Sequence, residues 1–116
     1  MIIRDIDDSH LSPAHGILFK QIYPNGGEDL ADWGFGRSVI SPAGHTEPHA
    51  HEENEIFLIL EGAGEMDIDG ERTALVGGQA VAIPANHRHS LSNTSPDAPL
   101  SFINIYWPPS FGAVDL

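Results

Sequence analysis

Cysteine is absent from this 116-residue chain, so any transition metal it holds must be bound through nitrogen and oxygen, and seven histidines supply the nitrogen. Four of the seven come in two pairs spaced two apart. His49 and His51 lie in GHTEPHAHEENEIFLILEG, residues 44–62, with Glu55 four positions after His51 and an apolar run behind it. His87 and His89 lie in GQAVAIPANHRHSLSN, residues 78–93, just after a strand-like run. Along an extended strand successive side chains alternate faces, so residues two apart project to the same side. His49 and His51 are thereby expected to converge on one point. Two neutral imidazoles and a carboxylate aimed at one point supply most of the coordination shell of a divalent transition ion, and the second stretch offers a further ligand.

The two stretches together resemble the paired motifs of the cupin superfamily, in the manner of the small single-domain cupins with a Cupin_2-like conserved barrel. Gly44, His49, His51, Glu55 and Gly62 follow the pattern G(X)5HXH(X)3-4E(X)6G, except that four residues rather than five separate Gly44 from His49, which moves the turn at Gly44. Gly78, Pro84, His89 and Asn93 follow G(X)5PXG(X)2H(X)3N, with Asn86 where the family has glycine. Asparagine is the next-best residue where a tight turn demands positive φ. The fifteen residues between Gly62 and Gly78 are like the short spacing of small microbial cupins.

The resemblance implies four ligands: His49, His51, Glu55 and His89. Three imidazoles and one carboxylate suit one divalent transition metal ion, Fe, Mn, Ni, Co, Cu or Zn, and an octahedral ion so held keeps about two positions for water, oxygen or substrate. An open position is what separates a catalytic site from a structural one. Four further residues are candidates for a substrate pocket. Phe57 lies on the face of Glu55, two residues on, and Tyr106 lies beside Trp107 on the last strand, where aromatic side chains serve either core or ligand. His87 shares parity with His89 and is either a solvated rim histidine or an acid/base beside the metal. Arg37 would grip a substrate carboxylate if it pointed into a barrel, and otherwise faces solvent or pairs with a surface acid. His10 and His15 read as surface or packing histidines, and His45 receives no role.

Positioning these side chains falls to short strands and tight turns. The first fifteen residues form an arm, an apolar triplet, MII, expected as an edge strand and then an irregular polar run that Pro13 keeps from helix. GILFKQIY, residues 16–23, reads as a strand, and YPNGGEDLAD as a loop. WGFGRSVISPAG leads into an expected HTEPHAH strand, with EEN as the corner before EIFLILEG. Asp69-Gly70 between alternating residues signals a two-residue type I′ hairpin pairing Ile68 with Glu71, Asp67 with Arg72, and Met66 with Thr73. That register makes Asp67 and Arg72 a cross-strand ion pair and puts Met66, Ile68 and Leu75 on the opposite face. QAVAIP reads as a buried strand ended by Pro84, and PLSFINIYW as the strand that closes the barrel. No segment keeps a 3.6-residue apolar period, so helix is a minor presence. About ten short strands with frequent turns give an all-β fold, a double-sheet jelly roll, which is also the double-stranded β-helix barrel that the resemblance implies. The expected organisation is one domain over 1–116, with the arm at 1–15, the barrel at 16–107 and a Pro-interrupted tail at 108–116.

A formal net charge of −12, from 17 acidic residues against five Lys and Arg, repels nucleic acid and anionic membranes. Those five cations, Arg4, Lys20, Arg37, Arg72 and Arg88, are also the only anchors a phosphorylated substrate could find. An acidic N-terminal segment and the absence of any apolar run near ~20 residues make the cytoplasm the expected location. By analogy with the family, the favoured function is a metal-dependent oxidoreductase of the dioxygenase type acting on a small neutral or aromatic molecule. A metal-dependent isomerase or lyase of the sugar-isomerase-like kind and a non-catalytic small-molecule binding module are the two alternatives. A homodimer is expected, because similar cupins pair through barrel-edge strands and an exposed jelly-roll edge needs covering.

Overall fold

Alternating burial runs through most of the chain and converts directly into strands. The computed structural model describes residues 1–108. They form nine strands: β1 (Ser12–Ala14), β2 (Ile17–Tyr23), β3 (Gly34–Ile40), β4 (Asn54–Glu61), β5 (Ala63–Ile68), β6 (Glu71–Val76), β7 (Ala80–Ile83), β8 (His89–Asn93) and β9 (Leu100–Trp107). Six of them make one sheet in the order β1-β2-β3-β9-β4-β7, and three make a second in the order β6-β5-β8. Every pairing is antiparallel, and the described residues contain no helix. The fold is therefore the expected all-β barrel of two facing sheets. Among the described residues no helix is long and apolar enough to cross a membrane.

Register fixes what faces inward. Gln21, Gly36, Asn104, Phe57 and Val81 form one row across the large sheet, and Gly34, Tyr106, Glu55 and Ile83 form the next. Rows two residues apart share a face, and here that face is the interior. Phe19, Ile40, Ile59, Leu91, Leu100 and Phe102 fill the rest of it. Gly34 and Gly36 are required by this packing: a Cβ would stand 2.7 Å from the Tyr106 hydroxyl at Gly34 and 2.5 Å from the Phe19 ring at Gly36.

The hairpin has the expected register, with Ile68 opposite Glu71, Asp67 opposite Arg72 and Met66 opposite Thr73. Asp69 and Gly70 both take positive φ, 53° and 88°, as a type I′ turn demands. Arg72 Nε donates to Asp67 Oδ2 at 3.1 Å. Elsewhere the structure departs from the sequence reading. The MII triplet is not a strand; β1 instead spans Pro13, whose missing N–H costs nothing at a sheet edge. HTEPHAH forms only isolated bridges, His45 with Ser92 and His49 with His89, because Pro48 interrupts the ladder. β7 is exposed at Ala80 and Ala82, since it too is an edge. The positive φ of the first motif falls on Ala43, at 60°, while Gly44 stays outside the left-handed region. Ala43 precedes His49 by six positions, so it is Ala43 that occupies the glycine place of the motif spacing. Residues 109–116 of the proposed tail lie outside the described residues.

Candidate metal centre

His49 and His89 face each other across an antiparallel bridge, each backbone N–H donating to the other's carbonyl at 3.2 and 2.9 Å. That reciprocal pair of hydrogen bonds fastens the first histidine stretch to β8. Asn86 holds the next turn with φ 66° and donates its N–H to the His51 carbonyl at 2.7 Å. Asn54 at the start of β4 accepts from Ala85 N–H at 3.0 Å. The motif asparagine, Asn93, spends its amide on the Ile40 and Ala98 carbonyls at 3.0 and 2.8 Å.

These clamps bring three rings together. Ring centroids are 5.4 Å apart for His49 and His51, 4.9 Å for His49 and His89, and 5.0 Å for His51 and His89. One ligand nitrogen from each lies within 4.8 Å of the others, the scale of a single-ion coordination shell. Every Nδ1 is taken by a backbone carbonyl: Glu47 at 2.6 Å for His49, Glu53 at 3.0 Å for His51, and His87 at 2.9 Å for His89. A neutral ring whose Nδ1–H donates to a carbonyl carries its lone pair on Nε2. His49 Nε2 and His89 Nε2 are buried without a hydrogen-bond partner among the described residues. Buried nitrogens left unmet are costly, and a divalent cation would satisfy both.

Glu55 is fully buried on the adjoining strand. Its Oε1 lies 3.1 Å from His51 Nε2 and 3.8 Å from His89 Nε2, and its Oε2 accepts from Asn104 Nδ2 at 2.9 Å. Burial raises the Glu55 pKa above the ordinary carboxylate value, with hydrogen bonds from His51 and Asn104 opposing. For His51 burial pulls down, but the hydrogen bond and charge of Glu55 prevail and hold it above its usual value. Burial lowers His89 to about 4, so its imidazole is neutral at physiological pH and free to coordinate. Three tautomer-locked imidazoles with an adjoining carboxylate fit a divalent transition metal of the kinds expected from the sequence.

The pocket candidates scatter. Phe57 packs beneath the cluster, its ring edge-on to His89 at a centroid distance of 6.4 Å and tilted against Phe102 at 4.5 Å. Tyr106 is buried inside, its hydroxyl against Gln21 Nε2. Arg37 does not point in. It has the opposite parity to Gly36 and Ser38, and its Nε donates to the Ile6 carbonyl at 2.8 Å, beneath the N-terminal arm. His87 is also elsewhere: it precedes β8, so strand parity with His89 does not hold, and its ring meets the Asp69 carboxylate on the surface. Its backbone carbonyl, not its ring, serves the site. Sequence reasoning missed Asn104 and Gln21. An asparagine amid the apolar alternation of FINIYW was the available signal.

Comparisons with known proteins follow the same geometry. The Cupin_2 family model, a cupin domain, matches residues 36–106. An uncharacterized protein of Methanocaldococcus jannaschii, MJ1618, is 29% identical over 94 residues, 80% of this chain and 70% of that protein. Among solved structures, a Cupin 2 conserved barrel domain protein from Salinispora arenicola superposes with a TM-score of 0.80 at 24% identity, covering 92% of this chain and 88% of that one. The plu4264 protein of Photorhabdus luminescens gives a TM-score of 0.81 at 22% identity, over 92% and 88% of the two chains. KdgF from a Halomonas species gives 0.74 at 22% identity over 90% of each.

Proposed function

This chain belongs to the Cupin_2 family, and from that premise we propose that it is a metal-dependent enzyme, an oxidoreductase of the dioxygenase type acting on a small neutral or aromatic molecule. The observation that carries the metal is the set of three Nδ1–carbonyl bonds that turn Nε2 of His49, His51 and His89 toward one another. Glu55 completes the set as an anionic oxygen ligand. A bound redox-capable ion would supply adjacent positions for substrate and oxygen. The protein's own contribution is to aim the three imidazoles at one point, to keep His89 neutral through burial, and to hold Glu55 at full burial against a floor of Phe57 and Phe102.

Charge placement supports an uncharged substrate. Arg4 donates to the Ile22 carbonyl at 2.8 Å, Lys20 to the Ser9 carbonyl at 2.7 Å, and Arg37 to the Ile6 carbonyl. Three of the five cations thus fasten the arm to the outside of the barrel. Arg72 pairs with Asp67, and Arg88 lies exposed on the rim. None of the five enters the interior rows, which leaves a phosphate or carboxylate substrate with no cationic side chain to meet it there.

An isomerase or lyase reading keeps one specific observation in its favour. The buried Tyr106 hydroxyl, on the same row as Glu55, is a proton donor that oxygen chemistry does not require. Oxygen uptake separates the two. Protein loaded with Fe(II), Ni(II), Mn(II) or Cu(II) and offered enols, thiols and catechols should consume oxygen with product formed. Full turnover under strict anaerobiosis would contradict the oxidoreductase and favour proton transfer, and tight binding without turnover would favour a binding module. Pairing of two copies is proposed as well, on the exposed Trp107 at the end of β9 and the exposed Trp33 just before β3. Light scattering giving the 12.5 kDa of a single chain would contradict it.

A further inference from the structure

We propose that Asn104 is a positioning residue that holds Glu55 as a one-oxygen ligand and thereby sets the coordination number of the bound ion; this rests on the metal-centre reading above. Asparagine is depleted in strands, and its burial demands partners, yet Asn104 occupies the middle of β9 with no solvent exposure. It faces inward in the row between Gly36 and Phe57, one row from Glu55. Its Nδ2 donates to Glu55 Oε2 at 2.9 Å, so that oxygen is committed. Glu55 Oε1 is thereby the oxygen left to face His51 Nε2 at 3.1 Å and His89 Nε2 at 3.8 Å.

The other end of the same amide argues against a role confined to folding. Asn104 Oδ1 is buried with no hydrogen-bond partner among the described residues. A side chain kept only for packing gains nothing from an unmet acceptor, which costs free energy. An amide whose donor must point at one carboxylate oxygen has no freedom to turn and satisfy the other end. Hydrogen bonds to charged groups are roughly twice as strong as neutral ones, so the bond to Glu55 fixes the orientation. Losing it would free Oε2 to swing toward the ion and make Glu55 a two-oxygen ligand, or let the carboxylate leave.

Co(II) serves as both ligand and probe, because its visible absorption strengthens as coordination falls from six to five or four. Chelator competition on the full chain should show that Asn104→Leu weakens Co(II) binding by about 10- to 100-fold and changes the visible spectrum. In a Glu55→Ala background the same substitution should change neither, because nothing remains for Asn104 to hold. Unaltered affinity and spectrum in Asn104→Leu, or an equal loss in both backgrounds, would overturn the proposal. A second measurement needs no substitution: in the Zn(II)-loaded protein the Asn104 side-chain amide protons should exchange slowly, and free exchange would overturn it equally. Should the unsubstituted protein bind no Co(II), the metal centre itself fails, which is a different result from binding that ignores Asn104.

Discussion

At the scale of single residues, proton competition governs the centre. An ion and a proton contend for the same Nε2 lone pairs, so affinity is highest where the imidazoles and Glu55 are unprotonated. Glu55 and His51 both have raised pKa values, the first through burial, the second because Glu55 outweighs burial. Each therefore takes up its proton at a higher pH than an ordinary carboxyl or imidazole. Metal affinity is accordingly expected to fall as pH drops through the ordinary histidine value of ~6.5, with the decline beginning above it. Chelator competition from pH 8 to pH 5 checks this, and a flat profile down to pH 5 would contradict it. Glu55→Gln keeps the shape and removes the charge; it should weaken binding by at least about 10-fold while leaving the chelated protein folded by circular dichroism. His49, His51, Glu55 and His89 were legible because their spacing is dictated by strand geometry and a motif. Arg37 and His87 were not placed, because parity in a sequence does not say which face of β3 is inside, nor that β8 begins only at His89.

At the scale of elements, the 69–70 hairpin was readable to the exact pairing, since turn chemistry acts locally. The 44–52 segment was not, because its shape is set by β8, some forty residues away. Ala43 shows the gap. Its φ of 60° is a conformation in which an L-residue is strained and glycine is not. Ala43→Gly is therefore expected to stabilise the protein by about 1 kcal/mol, raising the melting temperature by roughly 4 °C; a lower melting temperature would contradict this reading of the turn. The N-terminal arm offers a second test. Arg4, hydrogen bonded to Glu28, holds that carboxyl down to about 2, against an ordinary 4.5, with the Asn25 N–H adding to it. A depressed carboxyl contributes stability above its unfolded pKa and loses it as pH falls toward the folded one. Residues 1–8 should thus become sensitive to acid protease as pH drops from 4.5 toward 2, and Arg4→Ala should expose them at neutral pH.

At the scale of the whole molecule, a net charge of −12 and a barrel with β6 and β7 at sheet edges among the described residues describe a protein in which a bound ion would matter to the fold as well as to chemistry. Holding His49, Glu55 and His89 on three separate segments, a cation would tie both sheets together. An ion present at 100 times its dissociation constant adds about 2.7 kcal/mol, so chelation should lower the melting temperature by roughly 10 °C. The barrel itself was legible from alternation and turn residues, whereas the use of the cations to strap the arm outside depended on long-range contacts that no local pattern encodes. The central claim is that three imidazoles and one carboxylate close on a single ion. Elemental analysis of the untagged protein, reconstituted with a divalent transition metal and freed of excess, tests it most directly. One tightly held ion per chain, lost in His51→Ala without loss of fold, is the result expected; no retained metal, or equal retention in His51→Ala, would contradict it.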